Sequence, residues 1–241
     1  MIDRIIELLA SLIAVIFVFA PHEYAHAFVA YKNGDPTAKI RGRMSLNPLK
    51  HIDPTGFLLC VFAGFGWAKP VPIDPYNFRK YKTGMFTTAI AGVIVNYIIA
   101  FLAYLIYILI IRFLVPAMVG VNVLAYLARF LYNTFYLIFA YSLFSFCFNL
   151  LPLYPLDGFR VVEAFTRQLN PVQKFLRNYG PMILIILIVE SFLCGVVIDY
   201  VENAQVARIV SYFDILGYVG WFAQNILGFP IKAAWDWILK I

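Results

Sequence analysis

Charged side chains are scarce in this 241-residue chain: 13% of its residues, against 63% hydrophobic and 18% aromatic. That scarcity excludes a water-soluble globule, which could not cover its surface with so little polar material. Cysteine is scarce too. Cys60, Cys147 and Cys194 are odd in number, lie in apolar stretches and lack metal-type spacing, so neither a disulfide framework nor a cysteine zinc site is expected. The first apolar run has no small-residue cleavage site behind a short core, so it is expected to be retained rather than removed as a signal peptide.

What is present is a set of long apolar runs. Stretches long enough to cross a hydrocarbon core, about 20 residues, lie near 5–31, 84–114, 123–151 and 181–198, with a fifth near 208–229. Phe57 to Ala68 is too short to span and reads as a re-entrant or interfacial piece. Ile231 to Ile241, with Trp235, Trp237, Lys232 and Lys240, has the composition of an interfacial amphipathic helix. The fold class is therefore an all-α polytopic membrane protein with about four to six membrane helices. It is expected to form a single domain over 1–241, with a catalytic core near 5–165 and C-terminal helices near 181–241.

The net charge of +6 is distributed as topology would distribute it, so nucleic acid is not an expected partner. Lys32, Lys39, Arg41, Arg43, Lys50, Lys69, Arg79, Lys80 and Lys82 fall between the first two spans. Arg160, Arg167, Lys174 and Arg177 follow the third. The positive-inside rule makes both connections cytoplasmic and puts the uncharged linker Pro116 to Val121 outside.

Histidine is as rare as cysteine, with three in the chain, and two of them stand in Pro21-His22-Glu23-Tyr24-Ala25-His26 inside the first apolar run. On a helix, i and i+4 share a face, so His22 and His26 can offer two imidazoles to one metal ion while Glu23 can act on water held beside it. An ionisable group at membrane depth is expensive enough to need a purpose or a partner. Zinc in a hydrolase usually has three protein ligands, so the pair alone leaves a site incomplete. The first and third spans run in the same direction, which brings Asp157, in Asn149-Leu150-Leu151-Pro152-Leu153-Tyr154-Pro155-Leu156-Asp157-Gly158, to the same membrane face as the histidines. Taken alone, Asp157 suits a helix cap as well as a metal ligand. The need for a third ligand favours the second role.

The two motifs together resemble the paired signature of the site-2 protease family of intramembrane zinc metalloproteases. Gly92-Val93-Ile94-Val95-Asn96 resembles that family's Gly-x-x-x-Asn element, with Val93 where a proline is frequent. Ser45 to Pro54 and Trp67-Ala68-Lys69-Pro70-Val71-Pro72 are similar to its compact bacterial and archaeal members, which have no PDZ or CBS module. The resemblance covers roughly Ile5 to Glu163. It implies one zinc ion per chain held by His22, His26 and Asp157, with Glu23 as catalytic base, and it places Asn96 and Asn149 near the cleft, either binding substrate or joining helices by hydrogen bonds. The implied substrate is a membrane-spanning or membrane-associated protein, cut from the cytoplasmic side. The competing class is a non-proteolytic membrane metal protein, such as a zinc carrier or sensor.

Three further expectations concern the periphery of the site. Ala38 to Leu46 alternates apolar and basic residues, which fits either an interfacial strand or a solvated basic loop. Lys69 to Pro75 cannot be helical, because its prolines remove donors and bias their neighbours toward extended backbone. His51 is left out of the metal shell as a turn residue, and Glu190, in the fourth apolar run, is expected to be neutral or paired in helix packing.

Overall fold

A computed structural model of the chain describes residues 2–63, 66–117, 122–166, 170–201 and 203–239. Four helices among them are long and apolar enough to cross a membrane: Ile2–Lys32, Tyr81–Leu114, Val123–Asn149 and Pro171–Tyr200. They coincide with the first four apolar runs.

The first helix, α1 (Ile2–Lys32), owes its packing to a stripe repeating every fourth residue. Ala10, Ala14, Val18, His22, His26 and Ala30 are all buried, so the metal-type histidines lie in line with the small residues that seat the helix against its neighbours. Small side chains let membrane helices approach closely, and van der Waals contact rather than the hydrophobic effect then holds them together. After a short helix α2 (Thr37–Ile40) and a 3-10 turn over Pro48–Lys50, helix α3 (Pro54–Ala63) occupies the segment expected to be re-entrant or interfacial. The next span is α4 (Tyr81–Leu109), which continues through a π-helical turn, Ile110–Leu114, into α5 (Val115–Ala117). The third is α6 (Asn122–Asn149). Helices α1, α4 and α6 pack on one another, and Ala14, Ala100, Ala103, Ile138, Phe139 and Leu143 form the main buried cluster between them.

Beyond the bundle lie α7 (Asp157–Phe165), α8 (Pro171–Tyr200), α9 (Ala204–Ser211), α10 (Ile215–Phe222) and, after a π-helical turn, α11 (Gly228–Leu239). The α8 span is the most lipid-exposed of the four, with only 11% of its most apolar window buried.

Three expectations about the periphery are corrected. The alternating segment 38–46 forms no strand: its first residues close α2, and Gly42, at φ +65°, turns the chain so that the amides of Arg43 and Met44 return to the carbonyl of Ala38. The alternation was real, but only glycine visits that left-handed region cheaply, and it sits in the middle of the run. The run 208–229 is not one span. It breaks before Asp214, whose carboxylate caps α10 through the Gly217 amide at 2.7 Å and accepts from Ser191 at 2.6 Å. Finally, α11 does not present its apolar face to lipid alone. Ile231 is buried in the main cluster, and the Trp235 indole donates to the carbonyl of Phe101 at 2.8 Å.

Glu190 accepts from the Cys194 thiol at 3.3 Å. Cys147 and Cys194 are free. The linker residues 118–121, Arg167, Lys240, Ile241 and the side chain of Cys60 lie outside the described residues.

Candidate metal centre

Pro21 has no amide hydrogen, so the carbonyl of Phe17 loses its usual helical donor just before His22, an irregularity membrane helices accommodate. One turn brings His26 beneath His22. Their rings meet edge to face with centroids 4.5 Å apart, and their Nε2 atoms are 3.0 Å apart. Asp157 arrives from beyond the third span. Its Oδ2 lies 3.0 Å from Nε2 of His26 and 3.3 Å from Nε2 of His22. The ligand atoms of the three residues all lie within 4.8 Å of one another, and all three side chains are buried.

Asp157 begins α7 but does not cap it: Leu156 is the N-cap residue and no side chain caps the helix. Its placement depends on Gly158, where a β-carbon would come within 2.3 Å of the Leu150 carbonyl oxygen and 2.4 Å of that of Leu151. Only glycine lets the start of α7 close onto the end of α6. Burial disfavours an ionised Asp157, but the imidazoles of His26 and His22 outweigh it and hold the carboxyl well below the usual carboxylate range. Oδ2 has no hydrogen-bond partner. Three buried donor atoms converging on one point, one of them an unpartnered carboxylate oxygen, are the hard and borderline donors that zinc takes in hydrolytic sites. The residues present therefore fit that metal.

Gly92 makes room for this arrangement. A β-carbon there would lie 2.5 Å from Nε2 of His26 and 2.6 Å from Cε1 of His22, so α4 can press its backbone against both rings only with glycine at that position. Nδ1 of His26 donates to the carbonyl of Thr88 at 2.7 Å, and Nδ1 of His22 lies 3.1 Å from the Asn96 carboxamide. Asn96 is fully buried and also reaches Ser145 Oγ at 2.8 Å. Asn149 bonds Ser145 in turn, at 3.0 Å to both its carbonyl and its hydroxyl oxygen. Asn96 thus lies behind His22, and Asn149 lies one residue further back.

Glu23 is buried and accepts from the backbone amide of Val71 at 2.7 Å. The Lys-Pro-Val-Pro sequence explains why that amide is available. Pro70 and Pro72 carry no N–H, so Val71 holds the single donor between them, on backbone that the prolines keep extended. Neighbouring groups pin the segment: Lys69 N–H donates to the His51 carbonyl at 2.8 Å, and Arg43 Nη2 donates to the carbonyls of Lys69 at 2.7 Å and Pro70 at 3.2 Å. His51 itself donates from Nε2 to the Ser45 carbonyl at 2.7 Å. Asp35, fully buried, secures the far end of the segment by accepting from the Asp74 amide at 2.8 Å and from Asn77 at 3.1 Å, besides Thr37. Burial disfavours its charge, but these donors outweigh burial and hold its carboxyl below the usual range.

With this geometry in place, the comparison with known proteins is direct: the chain matches Peptidase family M50 over residues 10–190. The chain belongs to this family. The matched range contains both halves of the buried His-His-Asp group and the Gly92 to Asn96 element that packs on it. A Bacillus subtilis (strain 168) protein named "Putative zinc metalloprotease YwhC" is 43% identical over 151 residues, covering 63% of this chain and 66% of that relative. No solved structure matches the chain.

Val71, Thr88, Gly92, Arg43 and Ser145 are the site residues that motif reading did not assign a role. Only the Gly92-x-x-x-Asn96 and Lys69-Pro70-Val71-Pro72 patterns signalled that something was there.

Proposed function

We propose that this protein is an intramembrane zinc metalloendopeptidase of the site-2 type, with His22, His26 and Asp157 holding one zinc ion per chain and Glu23 as the general base. The observation that carries the reading is the convergence of those three buried ligands, two of them on a membrane helix, with the Glu23 carboxylate beside His22. On this reading 1–241 works as one membrane-embedded unit with its core near 5–165. The packing of Ala223 and Ile231 into the main cluster supports that unity. The distribution of basic residues among the connections supports a site toward the cytoplasmic side, by the positive-inside rule.

A zinc ion held by His22, His26 and Asp157 would supply Lewis acidity, polarising a carbonyl and lowering the pKa of a water toward about 7. Glu23 takes the proton released as water attacks the scissile carbonyl, then returns it to the leaving amine. The Val71 amide holds one carboxylate oxygen, which leaves the other for this work. Two protein imidazoles and one carboxylate leave room for water and substrate.

A helical substrate hides its carbonyls in its own hydrogen bonds and must open locally before it can be cut. In a reconstituted assay, a membrane-spanning peptide carrying Gly, Asn or Pro near one interface is expected to be cleaved faster than the same peptide with those residues replaced by Leu. Equal rates would count against this account of substrate choice, and no cleavage of either by zinc-loaded protein would count against the protease reading.

The Val71 amide permits a second test, because proline at that position removes the donor while keeping the backbone extended. A hydrogen bond to a charged group is worth about 1.5–3 kcal/mol. Val71→Pro is therefore expected to slow cleavage by about tenfold to a hundredfold with zinc content unchanged. A wild-type rate in that variant would remove Val71 from the machinery.

A further inference from the structure

An imidazole gives Nε2 to a metal only when its proton sits on Nδ1, and a buried Nδ1–H needs an acceptor of its own. For His26 the acceptor is settled, because the Thr88 carbonyl can only accept. For His22 it depends on the orientation of the Asn96 carboxamide, whose two ends have the same shape and are told apart by their partners. The end facing His22 also faces Ser145 Oγ, at 3.1 Å and 2.8 Å respectively.

If that end were the NH2 group, Nδ1 of His22 would accept and the ring proton would move to Nε2. It would then point at Nε2 of His26 and Oδ2 of Asp157, 3.0 Å and 3.3 Å away, where the three ligands converge. If it is the oxygen, His22 Nδ1–H and the Ser145 hydroxyl both donate to Asn96 Oδ1, and the Asn149 amide donates to Ser145 Oγ at 3.0 Å. The opposite end of the amide has no partner, and turning the oxygen toward His22 leaves an unpaired NH2 there in place of an unpaired oxygen, so that end does not favour the oxygen-inward orientation. The requirement for a free Nε2 does.

We propose that Asn96 is a positioning residue for the metal centre. Its carboxamide oxygen accepts from His22 Nδ1–H, with Ser145 and Asn149 aligned behind it, and so sets His22 in the tautomer and ring orientation that present Nε2 to the ion. This rests on the zinc reading above. It gives the buried asparagine of the Gly92 to Asn96 element a role toward the ligand rather than toward substrate: Gly92 admits the two rings, and Asn96, one turn further along the same face of α4, orients one of them.

The test is the zinc affinity of purified full-length protein, measured by chelator competition, for wild type, Asn96→Leu and Asn96→Asp. Loss of a group that orients a ligand typically weakens binding about 10–100-fold, and that loss is expected for Asn96→Leu. Asn96→Asp offers only acceptors and is expected to bind zinc at least as tightly as wild type, which a role as an N–H donor would not produce. Wild-type affinity in Asn96→Leu overturns the proposal and leaves the zinc reading intact. If Asn96→Leu does not fold, Asn96→Asp decides alone: affinity at or above wild type sustains the proposal, and a tenfold or greater loss overturns it. Absence of zinc binding by wild type overturns both.

Discussion

Replacing Glu23 with glutamine is expected to leave zinc bound and reduce peptide cleavage by at least about a hundredfold, since general acid–base catalysis contributes roughly 10²–10⁴-fold. The structure makes this substitution clean. Glu23 is not one of the three converging ligands, so the substitution leaves that group intact. A glutamine oxygen can still accept from the Val71 amide at the position where the carboxylate does, at 2.7 Å, so the side chain and the Lys69–Pro72 segment keep their places. What the amide cannot do is take a proton from water. A zinc carrier or sensor has no comparable need for a base beside its metal, and unchanged biological output with Gln at position 23 would favour that class. Cleavage measured on reconstituted protein, with zinc content determined on the same preparation, separates the outcomes.

The second large effect is expected at Asp157. Asp157→Ala removes the one anionic ligand and leaves two neutral imidazoles, so zinc affinity should fall by more than the about 10–100-fold attributable to groups that merely support ligands. Proteolysis should disappear with it. A capping carboxylate would behave differently, because losing a cap costs about 1 kcal/mol of helix stability and leaves metal content alone. The geometry favours the first outcome: Leu156, not Asp157, stands at the N-cap, and the carboxylate lies 3.0 Å and 3.3 Å from the two histidine nitrogens. Zinc retained at full occupancy without Asp157 would return it to a structural role.

Much of this was legible in the residues. The four spans follow from apolar length alone, and the His22–His26 pair follows from the four-residue spacing that puts both on one helix face. Asp157 could be placed because its span and the first one run in the same direction, which fixes depth even when contact is unknown. What could not be read had identifiable physical reasons. The partner of Glu23 is a backbone amide, which no side-chain pattern announces; the two prolines around Val71 mark the place but not the recipient. Asn96 and Ser145 meet His22 across three different helices, a contact set by packing rather than by spacing. In segment 38–46 a single glycine at positive φ overrode an alternation that otherwise fits a strand. Asp214 stands at the break in the fifth apolar run, where its carboxylate caps the next helix by accepting from the Gly217 amide. Trp235 turns inward, where its ring packs on Phe101 and its indole donates to the Phe101 carbonyl.

The central claim is that two histidines of the first span and an aspartate from beyond the third hold one zinc ion together. X-ray absorption at the zinc edge on purified protein tests it most directly. The account expects one zinc per chain in a shell of nitrogen and oxygen at about 2.0–2.2 Å, with imidazole scattering from two histidines that drops on substitution of either His22 or His26. A sulfur shell at about 2.3 Å, or an imidazole signal indifferent to both substitutions, would contradict it.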